Sequence, residues 1–197
     1  MSRFLESIAI VEGQIQRLSW HQLRMDRTLN AYHKGATLDL NAAINEAASG
    51  YTGKVKCRVL YDERIDEVQF SPYVAREIST LRLVRNDTID YAFKFADRTN
   101  IIRLMEQRAN CDDILIVRKG LITDSSIANI VFRRGEQWFT PRQPLLKGTM
   151  REHLLDKRML TEADIRPDDV KNYNGYKLIN AMVAFAAEEY PVSNIQF

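Results

Sequence analysis

Four stretches of this sequence carry residue types and spacings that suit chemistry at an amino group. Lys94 lies between two phenylalanines in Tyr91-Ala92-Phe93-Lys94-Phe95. Apolar surroundings lower the pKa of an ammonium group, and the neutral amine is the form that attacks carbonyls and carries protons. Read alone, such a lysine is more often one that snorkels from a sheet edge. In Ile122-Thr123-Asp124-Ser125-Ser126, Asp124 offers a carboxylate, although Asp followed by Ser commonly caps a turn. Arg24, in His21-Gln22-Leu23-Arg24-Met25, offers a planar cation that grips anions with two bonds, although an arginine on a helix is usually solvated. Pro144-Leu145-Leu146-Lys147-Gly148-Thr149-Met150-Arg151 places a glycine between Lys147 and the hydroxyl of Thr149. Residue types by themselves leave each pair of readings open.

The elements that would position these groups follow from patterning. Ser7–Val11, the Glu12-Gly13 pair and Gln14–Leu18 predict a hairpin, because an acidic-Gly pair accepts positive φ. Apolar residues at helical spacing predict a helix over about 20–32, with Ser19 as N-cap, and a second over 40–48 closed by Gly50. Strands are predicted over 54–61 and 67–71, completing a small α/β unit. After Pro72 the pattern gives a strand over 78–84, a helix over 96–108, and short strands punctuated by Lys119-Gly120 and Arg134-Gly135. These short strands suggest an antiparallel, barrel-like sheet. Helices over 150–160 and 168–173 and a strand over 177–181 finish the chain. The domain change is placed at 68/69, giving a small α/β domain, 1–68, and a larger barrel-like domain, 69–197.

Composition narrows the function. With 45% hydrophobic residues over 197 positions the chain can bury a sizeable core. Lys and Arg number 28 against 26 Asp and Glu, so no electrostatic footprint for nucleic acid is present. Cys57 and Cys111 lack metal-ligand spacing and read as reduced and buried, with no metal implied. The start has no apolar leader region, and the longest apolar run, 181–187, is too short to span a bilayer, so a cytoplasmic protein with no membrane partner is expected.

The order of Asp112-Asp113, Asp124-Ser125-Ser126, Asn129-Ile130-Val131-Phe132, Thr140-Pro141 and Gly148-Thr149-Met150-Arg151 closely resembles the class IV aminotransferase family from Phe4 onward. That resemblance implies a two-domain fold-type IV α/β (α+β) enzyme, using pyridoxal 5′-phosphate in a cleft between its domains. It implies Lys94 as the Schiff-base lysine and Asp124 as the carboxylate that keeps the cofactor's ring nitrogen protonated. It implies Arg24, Thr149 and Met150 at the phosphate, Leu146 on the ring face, and Ser126 and Ile127 as further cofactor contacts. Lys94-x-x-Asp97-Arg98, Leu178-Ile179-Asn180-Ala181-Met182 and the Gly-x-Met-Arg form resemble the aminodeoxychorismate lyases among the members, implying Arg98, Asn180 and Ala181 at the substrate. The activity implied is lyase-like, releasing pyruvate and 4-aminobenzoate from 4-amino-4-deoxychorismate. A branched-chain or D-amino acid aminotransferase and a non-catalytic relative are the alternatives.

Three departures from the family pattern stand out. Asp124 replaces the usual glutamate and Met150 the usual threonine. A Gly-rich segment ahead of Phe4 is missing, so the N-terminus is expected to be shortened. The strand-end arginine that binds substrate carboxylate in several members falls on Tyr61, leaving Arg58 or Arg64 as substitutes. A homodimer is expected, since a two-fold interface would cover strand edges.

Overall fold

A computed structural model describes residues 3–197. Glu12 and Gly13 both take positive φ, 47° and 75°, and close the expected hairpin between β1 (Phe4–Val11) and the two-residue β2 (Gln14–Ile15). β1 also pairs antiparallel with β3 (Lys54–Tyr61), which pairs with β4 (Ile65–Pro72), giving the order β2-β1-β3-β4. Helices α1 (Leu18–Tyr32) and α2 (Leu40–Ala48) bury Met25, Leu29, Leu40 and Ile44 in a core shared with Phe4, Ile8 and Ile10 of β1 and with Val55, Cys57, Val59 and Tyr61 of β3. Ser19 is not the N-cap of α1. That place is taken by Arg17, at φ 52° with no side-chain cap, because the chain leaves β2 through a left-handed residue. Asp39 caps α2 by accepting from the Ala42 amide, and Gly50 is not a left-handed stop.

The described residues up to Ala75 form one compact unit together with a later segment, Phe93–Asp97. β2 is so short that the Phe4 end of β1 keeps one edge open, and the later segment fills it. The Leu5 amide donates to the Lys94 carbonyl at 2.9 Å, and the Ala96 amide donates to Arg3 at 2.8 Å. The Phe95 amide closes a three-residue turn onto the Phe93 carbonyl at 2.9 Å, with Lys94 at its apex. Phe93 and Phe95 pack against the unit's core, within an aromatic cluster that joins Phe4 to Tyr32, Tyr61 and Phe95 at centroid distances of 4.9, 5.8 and 5.4 Å. This docking also shortens the predicted 96–108 helix. The α-helix, α3, covers only Thr99–Met105, and a 3-10 turn continues it to Arg108.

The second unit, Arg76–Ala92 with Arg98–Phe197, holds a nine-stranded sheet. Its strands are β5 (Leu81–Arg85), β6 (Asp113–Arg118), β7 (Leu121–Ser125), β8 (Asn129–Arg134), β9 (Gln137–Pro141), β10 (Thr161–Ala163), β11 (Gly175–Ile179), β12 (Tyr190–Pro191) and β13 (Ile195–Gln196). The path β10-β9-β8-β7-β6-β5-β13 is open in the described pairings, with β11 branching from β8. The sheet is mixed where an antiparallel one was expected. β5–β6 and β10–β9 are parallel because α3 and α4 (Thr149–Asp156) supply crossovers, and the C-terminal β13 joins β5 in parallel. The Lys119-Gly120 and Gly135 turns appear as predicted, with positive φ. Helix α4 stops at Asp156, four residues short of expectation, where Arg158 turns to φ 56°. The predicted 168–173 helix is a 3-10 turn over Pro167–Asn172. Ile130, Phe132, Tyr176 and Leu178 anchor the sheet's main core. No helix among the described residues is long and apolar enough to cross a membrane. Both cysteines are buried free thiols, and burial pushes Cys57 up to about 11.

Replacing Phe4, which is fully buried in the aromatic cluster, by alanine should destabilise the first unit by roughly 3–5 kcal/mol in urea denaturation. The Leu5 and Ala96 amides should then lose hydrogen-exchange protection together, because the same cluster holds the Lys94 segment on β1.

Candidate active site

Asp124 lies in the buried stretch of β7, and the β7–β8 hairpin brings it opposite Asn129 in the ladder. The carboxyl is 5% exposed. One oxygen accepts from Asn129 Nδ2 at 2.8 Å and the other from the Leu146 amide at 2.9 Å. Asn129 Nδ2 also donates to the Leu146 carbonyl at 2.8 Å, tying the hairpin to the turn before α4. Burial raises Asp124 to about 6; the Leu146 amide, the Asn129 side chain and the charge of Arg151 oppose that rise without cancelling it. Each carboxylate oxygen has a second lone pair, so the group can accept one more proton donor.

Gly148 makes this arrangement possible. A Cβ built there would lie 2.0 Å from Asn129 Oδ1, so any side chain would displace the residue that brackets Asp124. Gly148 is also the extended N-cap of α4, where no side chain caps the helix end. First-turn amides have no acceptor within a helix, which makes such an end an anion-binding geometry. Thr149 is buried in this first turn. Met150 contributes its backbone only, since its side chain is buried with Val131, Leu154, Leu160 and Ile179. Methionine in place of threonine thus exchanges a hydroxyl for core packing.

Arg151, which the sequence reading passed over, is 1% exposed and binds three groups. It donates to Glu152 at 2.6 Å, to the Pro141 carbonyl at 2.8 Å and to Glu162 at 2.7 Å, fixing α4 on the ends of β9 and β10. Its only sequence signal was its place after Gly-Thr-Met.

The turn Ser125–Ala128 is held from several sides. Ser125 Oγ accepts from the Ile127 and Ala128 amides at 3.3 and 3.1 Å. Arg98 Nη2 donates to the Ser126 carbonyl at 2.6 Å, and Asn180 Nδ2 to the Ile127 carbonyl at 3.2 Å. Asn180 Oδ1 also accepts from the Met182 and Val183 amides, a local turn that places Ala181 at its crest. Arg98 and Asn180, expected at the substrate, thus both grip the turn that carries Ser126 and Ile127. Buried Asp113, also missed, lies under the same turn; burial raises its pKa against hydrogen bonds from Ser126, the Ile114 amide and Ser125.

In the first unit Lys94 is half-buried at the apex described above. Arg24 is buried on α1, with Nε and Nη2 donating to Glu6 at 2.8 and 2.5 Å. Tyr61 is fully buried against Phe4. Of its expected substitutes, Arg58 meets Glu67 at 3.3 Å and Arg64 meets Asp66 at 3.5 Å.

The second unit therefore fits a pyridine ring whose N–H can be accepted by Asp124, together with a phosphate at the Gly148 helix end. Two outcomes follow from this geometry. Gly148→Ala should cost about 1–3 kcal/mol by urea unfolding, by breaking the Asn129 bonds, and most of that loss should vanish in an Asn129→Ala background. Because Asp124 is raised from 3.8 to about 6, its contribution to folding is complete below pH 3.8 and is lost as pH rises through about 6. The stability difference between ligand-free wild type and Asp124→Asn should accordingly fall by about 3 kcal/mol from pH 3.5 to 7 in urea titrations.

Comparison with known proteins identifies the family. The model of the family described as amino-transferase class IV matches residues 3–195. An uncharacterised protein of Haemophilus influenzae is 35% identical over 185 residues, covering 92% of this chain and 98% of that protein. A crystal structure from Haemophilus somnus, named a "putative 4-amino-4-deoxychorismate lyase", superposes with TM-score 0.85 at 34% identity, over 94% of this chain and 98% of that one. A "Putative amino-acid aminotransferase" from Mesorhizobium loti shares the fold at TM-score 0.80 and 20% identity, over 97% and 98% of the two chains. The architecture of mixed sheets and few helices and the match along nearly the whole sequence agree, and the chain belongs to the class IV aminotransferase family of enzymes.

Proposed function

We propose that this protein is a pyridoxal 5′-phosphate enzyme that eliminates pyruvate from 4-amino-4-deoxychorismate to leave 4-aminobenzoate. The observation that carries the cofactor reading is Asp124, a buried carboxyl bracketed by the Leu146 amide and Asn129 and raised to about 6. A carboxyl so placed accepts a ring N–H strongly, because the hydrogen-bond donors described around it are neutral. The substrate reading is supported by the Haemophilus somnus structure and by a Schizosaccharomyces pombe protein named "Putative aminodeoxychorismate lyase", 35% identical over 81 residues.

When bound, pyridoxal phosphate supplies an electron sink for the negative charge that develops next to the substrate's amino group. Asp124 holds the proton on the ring nitrogen that makes the sink effective. Lys94 would hold the cofactor through Nζ and would serve as the base for the proton on the carbon that bears the substrate's amino group. Loss of that proton with cleavage of the neighbouring ring C–O bond would release enolpyruvate, which gains a proton at its methylene carbon to become pyruvate, and would leave an aromatic amine. Thr149, the Met150 amide and Arg24 hold the phosphate, and Leu146 covers the ring face. Arg98 and Asn180 act on the reaction through the Ser126–Ile127 turn whose carbonyls they bind. The enzyme works in the cytoplasm as a homodimer.

The test is pyruvate release from 4-amino-4-deoxychorismate, measured beside keto-acid formation from a panel of L- and D-amino acids. Pyruvate release is expected, with Lys94→Ala and Asp124→Asn each lowering turnover by roughly 100-fold or more. Keto acids alone would identify an aminotransferase. Neither product from cofactor-loaded protein would identify a non-catalytic relative.

A further inference from the structure

β1 alternates so that Phe4, Glu6 and Ile8 all point into the first unit's core, each with no exposed surface. A carboxylate therefore occupies a position that strand patterning reserves for an apolar side chain. Burying it costs several kcal/mol unless it is fully paired. Glu6 is paired on three counts: Arg24 Nε at 2.8 Å, Arg24 Nη2 at 2.5 Å and His21 Nδ1 at 2.6 Å. Burial would raise its pKa, but the charge and hydrogen bonds of Arg24 and the bond from His21 win and hold it at about 2. Burial also lowers His21, which favours its neutral form.

Such an arrangement is poorly explained by stability, because a buried ion pair is often replaceable by apolar residues without loss. What it fixes is direction. A guanidinium is a rigid planar fork, and two bonds along its Nε–Nη2 edge set both the plane and the heading of the Nη1–Nη2 edge. Arg17, half-buried at the start of α1, acts electrostatically on His21.

We infer that Glu6 is a positioning residue that aims Arg24, with His21 holding the carboxylate in place, so that the guanidinium receives the dianionic phosphate of a phosphomonoester ligand. The role rests on the proposed assignment of Arg24 to the cofactor's phosphate. Glu6 touches neither cofactor nor substrate, and acts only through the arginine.

The experiment compares binding of pyridoxal 5′-phosphate with binding of pyridoxal, which lacks the phosphate, by absorbance titration of apoprotein. Wild type should prefer the phosphorylated form strongly, and Glu6→Gln should lose roughly tenfold or more of that preference while binding pyridoxal unchanged. Glu6→Asp, which keeps the buried charge but withdraws it by one methylene, should recover part of the preference. Wild type that binds both ligands equally would refute the phosphate assignment of Arg24 itself. Wild type that discriminates, with an undiminished preference in Glu6→Gln, would overturn the role of Glu6 alone. Should Glu6→Gln fail to fold by circular dichroism, Glu6→Asp decides: a preference equal to wild type overturns the inference, and a reduced one with unchanged pyridoxal binding upholds it.

Discussion

The bracket around Asp124 is the constraint on which the second unit's functional geometry depends. A carboxyl this buried is tolerable only with donors at both oxygens, and they come from distant parts of the chain: Asn129 across the hairpin and the Leu146 amide before α4. Asn129 can sit there only because Gly148 has no side chain, and the same glycine leaves the start of α4 without a side-chain cap. One sterically forced glycine thus shapes both the bracket around Asp124 and the uncapped start of α4. Arg151 completes the frame by fixing α4 on β9 and β10.

Glu6 and Asp124 form a natural experiment in local electrostatics. Both are buried, and burial alone would raise both. Glu6 meets a guanidinium and is held at about 2, whereas Asp124 meets two neutral amides and the more distant charge of Arg151 and stays near 6. The difference follows from the partners rather than from the depth. It suits the two proposed roles: a permanently charged strut beneath an arginine, and a carboxyl whose affinity for a proton is high enough to share one with a pyridine nitrogen.

Much of the architecture was legible because it is written in local rules. The Glu12-Gly13 and Lys119-Gly120 turns demand positive φ, and α2 and β3 fall on their predicted ranges. The errors arise where tertiary contacts override pattern. The 96–108 stretch has helical periodicity, yet its first residues are drawn onto the open edge of β1, so α3 begins at Thr99. β10, β12 and β13 have three, two and two residues and show no alternation to read. The mixed sheet went unseen because parallel pairing is a property of crossovers, not of the strands themselves.

Site residues were legible in proportion to how directly a motif names them. Asp124 and Gly148 stand in the ordered segments, and the structure brings both to Asn129. The work of Asn129, Arg151 and Glu6 is expressed only through bonds to other side chains and to backbone carbonyls, which spacing does not reveal. Arg98 and Asn180 show the converse: a motif singled them out for the substrate, while both donate to the turn that carries Ser126 and Ile127. The central claim is that this frame serves a pyridine cofactor joined to Lys94. Its most direct measurement is borohydride reduction of protein reconstituted with pyridoxal 5′-phosphate, followed by mass mapping of the digested chain. The account predicts one stoichiometric phosphopyridoxyl adduct on Lys94; absence of any adduct, or its location on Lys147 or another lysine, would contradict it.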